Sequence, residues 1–317
     1  MRDGKRNFTG DPLPATPTEK IMLRALAVLF AMLAVVPGPC AAQTTPPAVD
    51  VRNNDIRNEH PAPHSNSAAG AYSGEDSAAE NELLEAANQR RELAGVPPLR
   101  MEESLREAAR AHARRMISSE RLEHQVSGEP TLLQRIAQVS PLKMDRAGEN
   151  LAYATCAPSA NEVLMRSAPH RQNLLDRGFN VAGVAAIWSK GRLYVVQDFA
   201  HEVPSYSAQQ SEKLVGRAVD EMRQQAGLPE LVQLTPPHLD EAACSLAREN
   251  RPNARLLATA YDNRKIITYT QSRPEILPQG ALRLLRDPGV RQFAVGACYA
   301  RNAAYPTGMY WVAILLY

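Results

Sequence analysis

Four blocks in the first half of the sequence recur in the same order in its second half. They lie 132, 134, 113 and 116 residues apart, so the spacing changes mainly between the second and third blocks. The pairs are NQRRELAGVPPL (88–99) with DEMRQQAGLPEL (220–231), SLREAARAHAR (104–114) with HLDEAACSLAR (238–248), VAGVAA (181–186) with AVGACY (294–299), and LYVVQDF (193–199) with MYWVAIL (309–315). This repetition predicts two copies of one domain, at 77–204 and 212–317.

Helical and strand patterns both occur within the first copy. A Ser-x-x-Glu capping pattern starts one helix and apolar spacing continues it, while two apolar runs flank a Ser-Lys-Gly-Arg turn typical of a hairpin. The predicted helices begin near Ser77, Glu102 and Ser159, and the predicted strands span 181–188 and 193–199. Each copy is therefore predicted to have an α+β fold.

The N-terminal part has a different character from the two copies. An apolar run, MLRALAVLFAMLAVV, follows basic residues and precedes Pro37, Gly38 and small residues. This pattern predicts a signal peptide over 1–42, with an uncleaved anchor as the alternative. Residues 43–76 are rich in Pro, Asn, Ser and Ala without an apolar period, and they predict a disordered linker. The mature protein is therefore expected to be secreted or periplasmic.

Composition narrows the classes of partner. The formal net charge is +2 and aromatic residues make up 5% of the chain, so neither a basic surface nor base-stacking side chains point to nucleic acid. No other stretch is long and apolar enough to cross a membrane. Nucleic acid is therefore not an expected partner.

Three cysteines remain after the predicted cleavage. An odd number in an oxidising compartment permits at most one bridge within the chain. Cys244 and Cys298 are the only pair in one half of the sequence, so they are the candidate bridge, and Cys156 is left over. Three buried, unreactive thiols are the alternative.

The two copies differ in polar residues rather than in their apolar frame. In the sequence alignment, leucine, lysine, valine and alanine in the second copy replace His112, Glu149, His170 and Gln197. Packing alone maintains an apolar frame, whereas polar residues lost together are expected to share a site. By contrast, Asn88 and Arg91 have polar counterparts in the second copy, which indicates structural contacts.

Several motifs of the first copy together resemble a known family. HARRM, LEHQ, AGENLAY, SAPHRQNLL, GVA and YVVQDF follow one another in the order and spacing of the CAP superfamily, which comprises the cysteine-rich secretory, antigen 5 and pathogenesis-related-1 proteins. The match is to the bacterial branch and covers 82–200. The second copy is similar only in a degenerate form.

The resemblance implies a fold and a site. The fold is an α-β-α sandwich, so the chain is expected to form tandem sandwiches, each with a small antiparallel sheet between helices. The family cleft holds two histidines and two acids, and the motifs place His124, Glu149 and His170 at three of these positions. The second acid is missing: Ser167 occupies its position, and Leu164 replaces the usual tryptophan.

The chemistry of these residues leaves two interpretations open. His170 is expected in the first turn of a helix that Pro169 begins, where the helix dipole favours a neutral imidazole. Two imidazoles and a carboxylate with an open position match a zinc site. Alternatively, they form a hydrogen-bonded network that ties loops together. His112 is expected at the edge of the core.

The neighbours of these residues complete the candidate cleft. Asn150 and Arg171 are assigned to it, with Arg171 as a partner of a carboxylate and Asn173 as a clamp between loops.

Three functions are compatible with these patterns. A non-enzymatic binding module is favoured, and the resemblance implies that its ligand is a small molecule, a lipid or another protein. No HExxH, G-x-S-x-G or phosphate-loop motif occurs, which supports this interpretation. A hydrolase would need Ser167 as a nucleophile beside His170, or a metal-activated water, and Ser167 is a weak candidate because a helix cap explains it. A structural envelope protein is the third possibility.

Overall fold

The computed structural model describes residues 74–258, 260–261 and 265–317, and all of them lie in one compact unit. The predicted signal peptide and most of the predicted linker lie outside the described residues. The helices are α1 (Ser77–Leu93), α2 (Glu103–Ser119), α3 (Leu132–Val139), α4 (Ala157–Arg166), α5 (Ala168–Leu174), α6 (Ala208–Gln225), α7 (Leu239–Arg248), α8 (Ala254–Ala258) and α9 (Ala281–Leu285). The strands are β1 (Gly74–Glu75), β2 (Arg100–Met101), β3 (Met144–Ala154), β4 (Val181–Ser189), β5 (Arg192–Glu202), β6 (Val232–Leu234), β7 (Lys265–Gln271), β8 (Gln292–Ala300) and β9 (Met309–Leu316).

These strands form two sheets with matching order. The first sheet runs β1-β4-β5-β3, with β2 also paired to β4, and the second runs β6-β8-β9-β7. We call elements α1–α5 with β1–β5 the first region and elements α6–α9 with β6–β9 the second region. The α+β class is confirmed. The long strands are antiparallel, but β2 and β6 each add a short parallel strand that the sequence did not indicate.

Local sequence signals account for most element ends. Lys190 and Gly191 both have positive φ, which gives the two-residue β4–β5 hairpin that the sequence predicted. Helix α1 begins at Ser77 as expected, but its cap is Asp76, whose side chain accepts from Ala79 N at 2.9 Å. Glu80, expected in a capping box, is instead buried.

Two elements depart from the predicted pattern. Helix α3 was not predicted, although Thr131 and Gln134 form its capping box. Helix α4 starts at Ala157 rather than at Ser159. Of the predicted linker, Gly74 and Glu75 are ordered and pair with β4.

A glycine brings a helix onto the sheet at matching places in both regions. A side chain on Gly183 of β4 would overlap the backbone of Leu105 in α2, and one on Gly296 of β8 would overlap Leu239 in α7. The repeated blocks align these glycines and these leucines with one another. Each helix therefore approaches its strand more closely than any residue with a Cβ permits.

A buried arginine closes the loop after the first helix of each region. Arg91 Nε and Arg223 Nε each donate to a proline carbonyl six residues on, both at 2.7 Å. Arg91 Nη1 also donates to Leu174 O, and Arg223 Nη1 to Leu285 O. The structural contact expected for Arg91 is present. The duplication itself stays a prediction, and these contacts support it.

The strand registers correct two of the counterparts assigned from sequence. Gly183 pairs with Asp198, which pairs with Glu149. In the second region Gly296 pairs with Ala313, which pairs with Thr268. Thr268 rather than Lys265 is thus the counterpart of Glu149, and Ala313 is that of Asp198 rather than of Gln197.

The counterpart of His170 also changes. Asp176 and Asp287 each accept from a backbone N–H two residues on, at 2.7 Å, in equivalent Asp-x-Gly turns. Aligning these turns places His170 over Ala281, not over Val290. For the residues in strands, the alignment slipped because short apolar strands tolerate a shift of one or a few residues without a visible change of pattern.

A disulfide joins Cys244 of α7 to Cys298 of β8, with the two Cα atoms 5.1 Å apart. This settles the bridge that the sequence left open, and no cysteine among the described residues is a free thiol. Within the described part of the chain, no helix has the length and apolar character needed to cross a membrane.

Candidate functional site

Glu149 is the centre of the candidate site. It lies on β3, which is the edge strand of the first sheet, and its carboxylate is almost completely buried. Oε1 lies 2.8 Å from Nδ1 of His124, while Oε2 forms an ion pair with Arg135 of α3. Both carboxylate oxygens are therefore engaged, one with an imidazole and the other with a guanidinium.

The two predicted histidines lie on either side of this edge. The side chain of His124 is 58% exposed, and Arg135 Nη1 donates to its carbonyl at 3.0 Å. His170 lies in the first turn of α5, as predicted. Burial lowers the pKa of His170, and proximity to His124 lowers it further. His170 is thus a neutral imidazole at neutral pH, and its Nδ1 is buried without a hydrogen-bond partner.

Behind Glu149, three further charged or titratable side chains form a buried layer. His112 of α2 is fully buried, with Nδ1 2.8 Å from Glu129 Oε2 and Nε2 3.7 Å from Glu149 Oε2. Arg135 lies 3.4 Å from Glu129. His112 therefore lies deeper than the core edge where it was expected, and it is held by a carboxylate.

Asp198 completes this layer from the neighbouring strand. It is fully buried opposite Glu149, and neither of its carboxyl oxygens has a hydrogen-bond partner. Burial raises its pKa well above the ordinary range, and the negative charge of Glu149 raises it further. Compared with water, the fold therefore shifts Asp198 toward its protonated, neutral form.

The opposite face of β3 holds α5 in place. Asn150 is fully buried, and its Nδ2 donates to His170 O at 3.0 Å. Asn173 donates to Glu149 O at 3.2 Å and to Asn150 Oδ1 at 3.1 Å, which is the loop clamp expected of it. Asn150 thus lies behind the cleft and not on its surface, where the sequence placed it.

Two other assigned residues stand apart from Glu149. Arg171 is exposed and donates to Met165 O at 2.7 Å, so it does not act as the carboxylate partner that was expected. Ser167 is the residue before α5, but its side chain makes no capping hydrogen bond. No described hydrogen bond joins Ser167 to the His170 ring, so the pairing that a serine nucleophile needs is not formed.

Gly148 does not form the turn that was expected ahead of the strand. It lies inside β3, and a Cβ there would come within 2.9 Å of the Phe179 ring. In the Gly-Glu-Asn motif, the glycine therefore permits close contact with the Phe179 ring. The buried carboxylate of Glu149 and the buried amide of Asn150 point to opposite faces of the strand.

The fit of a metal ion can be judged from the donors. Among the described residues, no three His, Cys, Asp or Glu side chains are arranged to hold one. A cation at Glu149 would compete with Arg135 and His124 for its two oxygens. Zinc binding by His124, Glu149 and His170 stays a prediction.

Sequence reasoning missed Glu129, Arg135 and Asp198. Glu129 and Arg135 lie in and beyond a loop whose path the sequence did not reveal. Asp198 had a visible signal, since a carboxylate inside the apolar run LYVVQDF has no solvent to face.

Comparisons with known proteins agree with the motifs. Residues 84–199 match the family described as "CAP: Cysteine-rich secretory protein family". A 152-residue stretch, 47% of this chain, is 30% identical to "Uncharacterized protein YkwD" of Bacillus subtilis (strain 168) and covers 58% of that protein. The chain thus spans less than two thirds of the length of this curated relative.

Two solved structures are similar to the chain over the same extent. An extracellular protein containing a SCP domain from Bacillus anthracis is 24% identical, with a TM-score of 0.36, over 40% of this chain and 41% of that one. An outer surface protein from Borrelia burgdorferi is 16% identical, with a TM-score of 0.39, over 42% of this chain and all of that one. The motifs, the family match over 84–199 and the curated relative agree that the domain in the first region is similar to CAP proteins.

Proposed function

We propose that the protein is an exported, non-enzymatic binding module that recognises a polar small-molecule or lipid headgroup ligand with His124 and His170. One observation carries the proposal. Both oxygens of Glu149 are engaged, so this carboxylate orients the site instead of acting as a base. The N-terminal apolar run that predicts a signal peptide supports export.

The imidazoles define what such a ligand offers. Nδ1 of His124 faces the Glu149 carboxylate, so Nε2 is the nitrogen of this ring that is left for a ligand. A neutral His170 supplies one donor and one acceptor. A ligand with hydroxyl, amide or protonated amine groups offers hydrogen-bond donors to these two rings.

Mass spectrometry of molecules that co-purify with the protein tests this function. The wild-type protein is expected to retain a ligand that a His124→Ala/His170→Ala variant loses, while the exposed neighbour change Gln172→Ala retains it. Hydrolysis of casein and of p-nitrophenyl acetate should be equal in all three proteins.

Two results would contradict the proposal. Hydrolysis that disappears with His170→Ala would show an enzyme. One equivalent of Zn²⁺ retained after dialysis by the wild-type protein, and lost in the double variant, would show the metal centre instead.

A further inference from the structure

The second region contacts the first through hydrogen bonds to one short segment, residues 137–145, which leads from α3 into β3. Arg301, just after β8, donates through Nη1 to Ala137 O at 3.0 Å. Its Nη2 donates to Ser140 O at 2.8 Å and to Leu142 O at 3.3 Å. One guanidinium thus binds three carbonyls from the end of α3 and from the turn that follows it.

These carbonyls need a donor from outside the helix. The last carbonyls of a helix have no partner within it, and Pro141 lacks the N–H that would help to close the turn. A cation at a helix C-terminus also interacts favourably with the helix dipole. Arg301 therefore fixes the angle between the end of α3 and the start of β3.

Lys143 forms a second contact, close to the first. Its Nζ donates to Tyr310 Oη at 3.1 Å and lies 3.9 Å from the centre of the Tyr299 ring. Tyr310 is almost completely buried in the second region, and its Oη also accepts from Tyr206 N at 2.8 Å. A lysine held by two aromatic rings is a directional contact, since the cation must stay over the ring face.

The residues that shape the site flank this segment. Arg135 lies on α3, two residues before Ala137, and it binds both Glu149 and the carbonyl of His124. Glu149 lies on β3, beyond the other end of the segment. A change in the angle between α3 and β3 would separate Arg135 from Glu149, and with it His124 from its acceptor.

We infer that the second region positions the site of the first region, and that Arg301 and Lys143 are positioning residues for the Arg135–Glu149–His124 arrangement. The second region thereby acts as an intramolecular partner. This inference concerns the geometry of the site and does not depend on what the site binds.

Full-length Arg301→Ala protein tests the inference through the His124 tautomer. Imidazole ¹⁵N shifts report which ring nitrogen carries the proton, and a contact that merely joins two regions would not change them. Arg301→Ala is expected to reduce the Nδ1–H form of His124. Amide exchange over residues 132–150 should accelerate about tenfold, as expected when hydrogen bonds to a charged donor are lost.

Two further variants make the result decisive. The control Arg283→Ala removes an exposed arginine of α9 in the second region and should leave both readouts at wild-type values. If Arg301→Ala does not fold, Lys143→Met removes the second contact while retaining most of the side-chain length, and the same changes are expected. Wild-type ¹⁵N shifts and exchange rates in a folded Arg301→Ala or Lys143→Met protein would overturn the inference.

Discussion

The two regions share a frame but differ in what they bury. In the first, the strand row of Gly183, Asp198 and Glu149 lies against His112, so carboxyl groups and an imidazole occupy the interior. In the second, the matching row ends in Ala313 and Thr268, and the helix contributes a buried leucine, Leu246. The frame therefore does not require the charges. We expect the charges to reduce stability and to serve the site.

The links that α2 and α7 make within their own regions differ as well. Arg110 of α2 pairs with the buried Glu80 at 2.7 Å, whereas the aligned position in α7 is Cys244, bonded to Cys298. An ion pair in one region is thus replaced by a covalent bond in the other. The following predictions test how far this comparison holds.

Removing the disulfide should have the largest effect. Cys244 and Cys298 are 54 residues apart, and a loop of this size corresponds to about 4 kcal/mol of stabilisation through chain entropy. Guanidinium denaturation of Cys244→Ala/Cys298→Ala should show a loss of that order. Wild-type protein in reductant should lose at least as much stability, because reduction also opens the disulfide of Cys156. An unchanged midpoint on reduction would contradict the prediction.

A methyl group on either contact glycine should come next. Gly183→Ala and Gly296→Ala both force a helix backbone away from its strand, at about 3 kcal/mol each. Gly280→Ala is the matched control, because its φ is negative and no heavy atom lies within 4 Å of the added carbon. If only one of the first two variants is destabilised in chemical denaturation, the two frames are not equivalent.

Replacing Asp198 with the neutral residue asparagine should raise the free energy of unfolding of the first region by about 1–3 kcal/mol at neutral pH. The raised pKa of Asp198 means that its contribution is favourable at low pH and is lost as the pH rises from its ordinary value through its value in the fold. Asp198→Asn should therefore be more stable than wild type at pH 7, and denaturation curves should converge toward pH 4.

Asp287 of the second region supplies the opposite case. Its hydrogen bond from Lys265 and a further one from Gly289 N lower its pKa. The stability that it contributes is present above its ordinary pKa and is lost as the pH falls through its value in the fold. Asp287→Asn should thus lower the free energy of unfolding at neutral pH but leave it unchanged at acid pH. A loss of stability at pH 7 in Asp198→Asn as well would show that Asp198 is ionised and paired.

The smallest expected effect is a change in the pKa of His170. Its NMR titration midpoint should lie below 6.5, the ordinary value. His124→Gln should raise the midpoint only part of the way, because burial is the larger cause and repulsion from His124 the smaller. A midpoint at or above 6.5 in wild type would show that the ring is solvated and not part of the cleft.

Features set by neighbouring residues could be predicted from the sequence. The hairpin at Lys190 and Gly191, helices α1 and α2, and the position of His170 in a first helical turn all follow from local patterns. Helix α3 could have been predicted from Thr131 and Gln134. Its length of eight residues gave too little apolar periodicity for recognition.

Features set by register and by long loops could not be predicted. The partnership of Glu149 with Asp198 depends on a strand register that apolar sequence leaves open. The ion pair with Arg135 depends on how residues 125–135 fold back over the sheet. The family motifs identified three residues of the site, but not the groups that hold Glu149.

The side of each sheet that is formed by β4 in the first region and by β8 in the second also has a consequence for self-association. An uncovered edge strand offers amides to a strand from another molecule. On β4, the short strands β1 and β2 cover the two ends, and Glu80 accepts from the amide of Ala186 between them at 3.5 Å. On β8, β6 covers one end and Asp240 accepts from Ala297 N at 2.8 Å. In both regions a carboxylate from a packed helix thus accepts a hydrogen bond from an amide that would otherwise pair with a strand of another molecule. Addition of a further strand to this side of either sheet is therefore blocked.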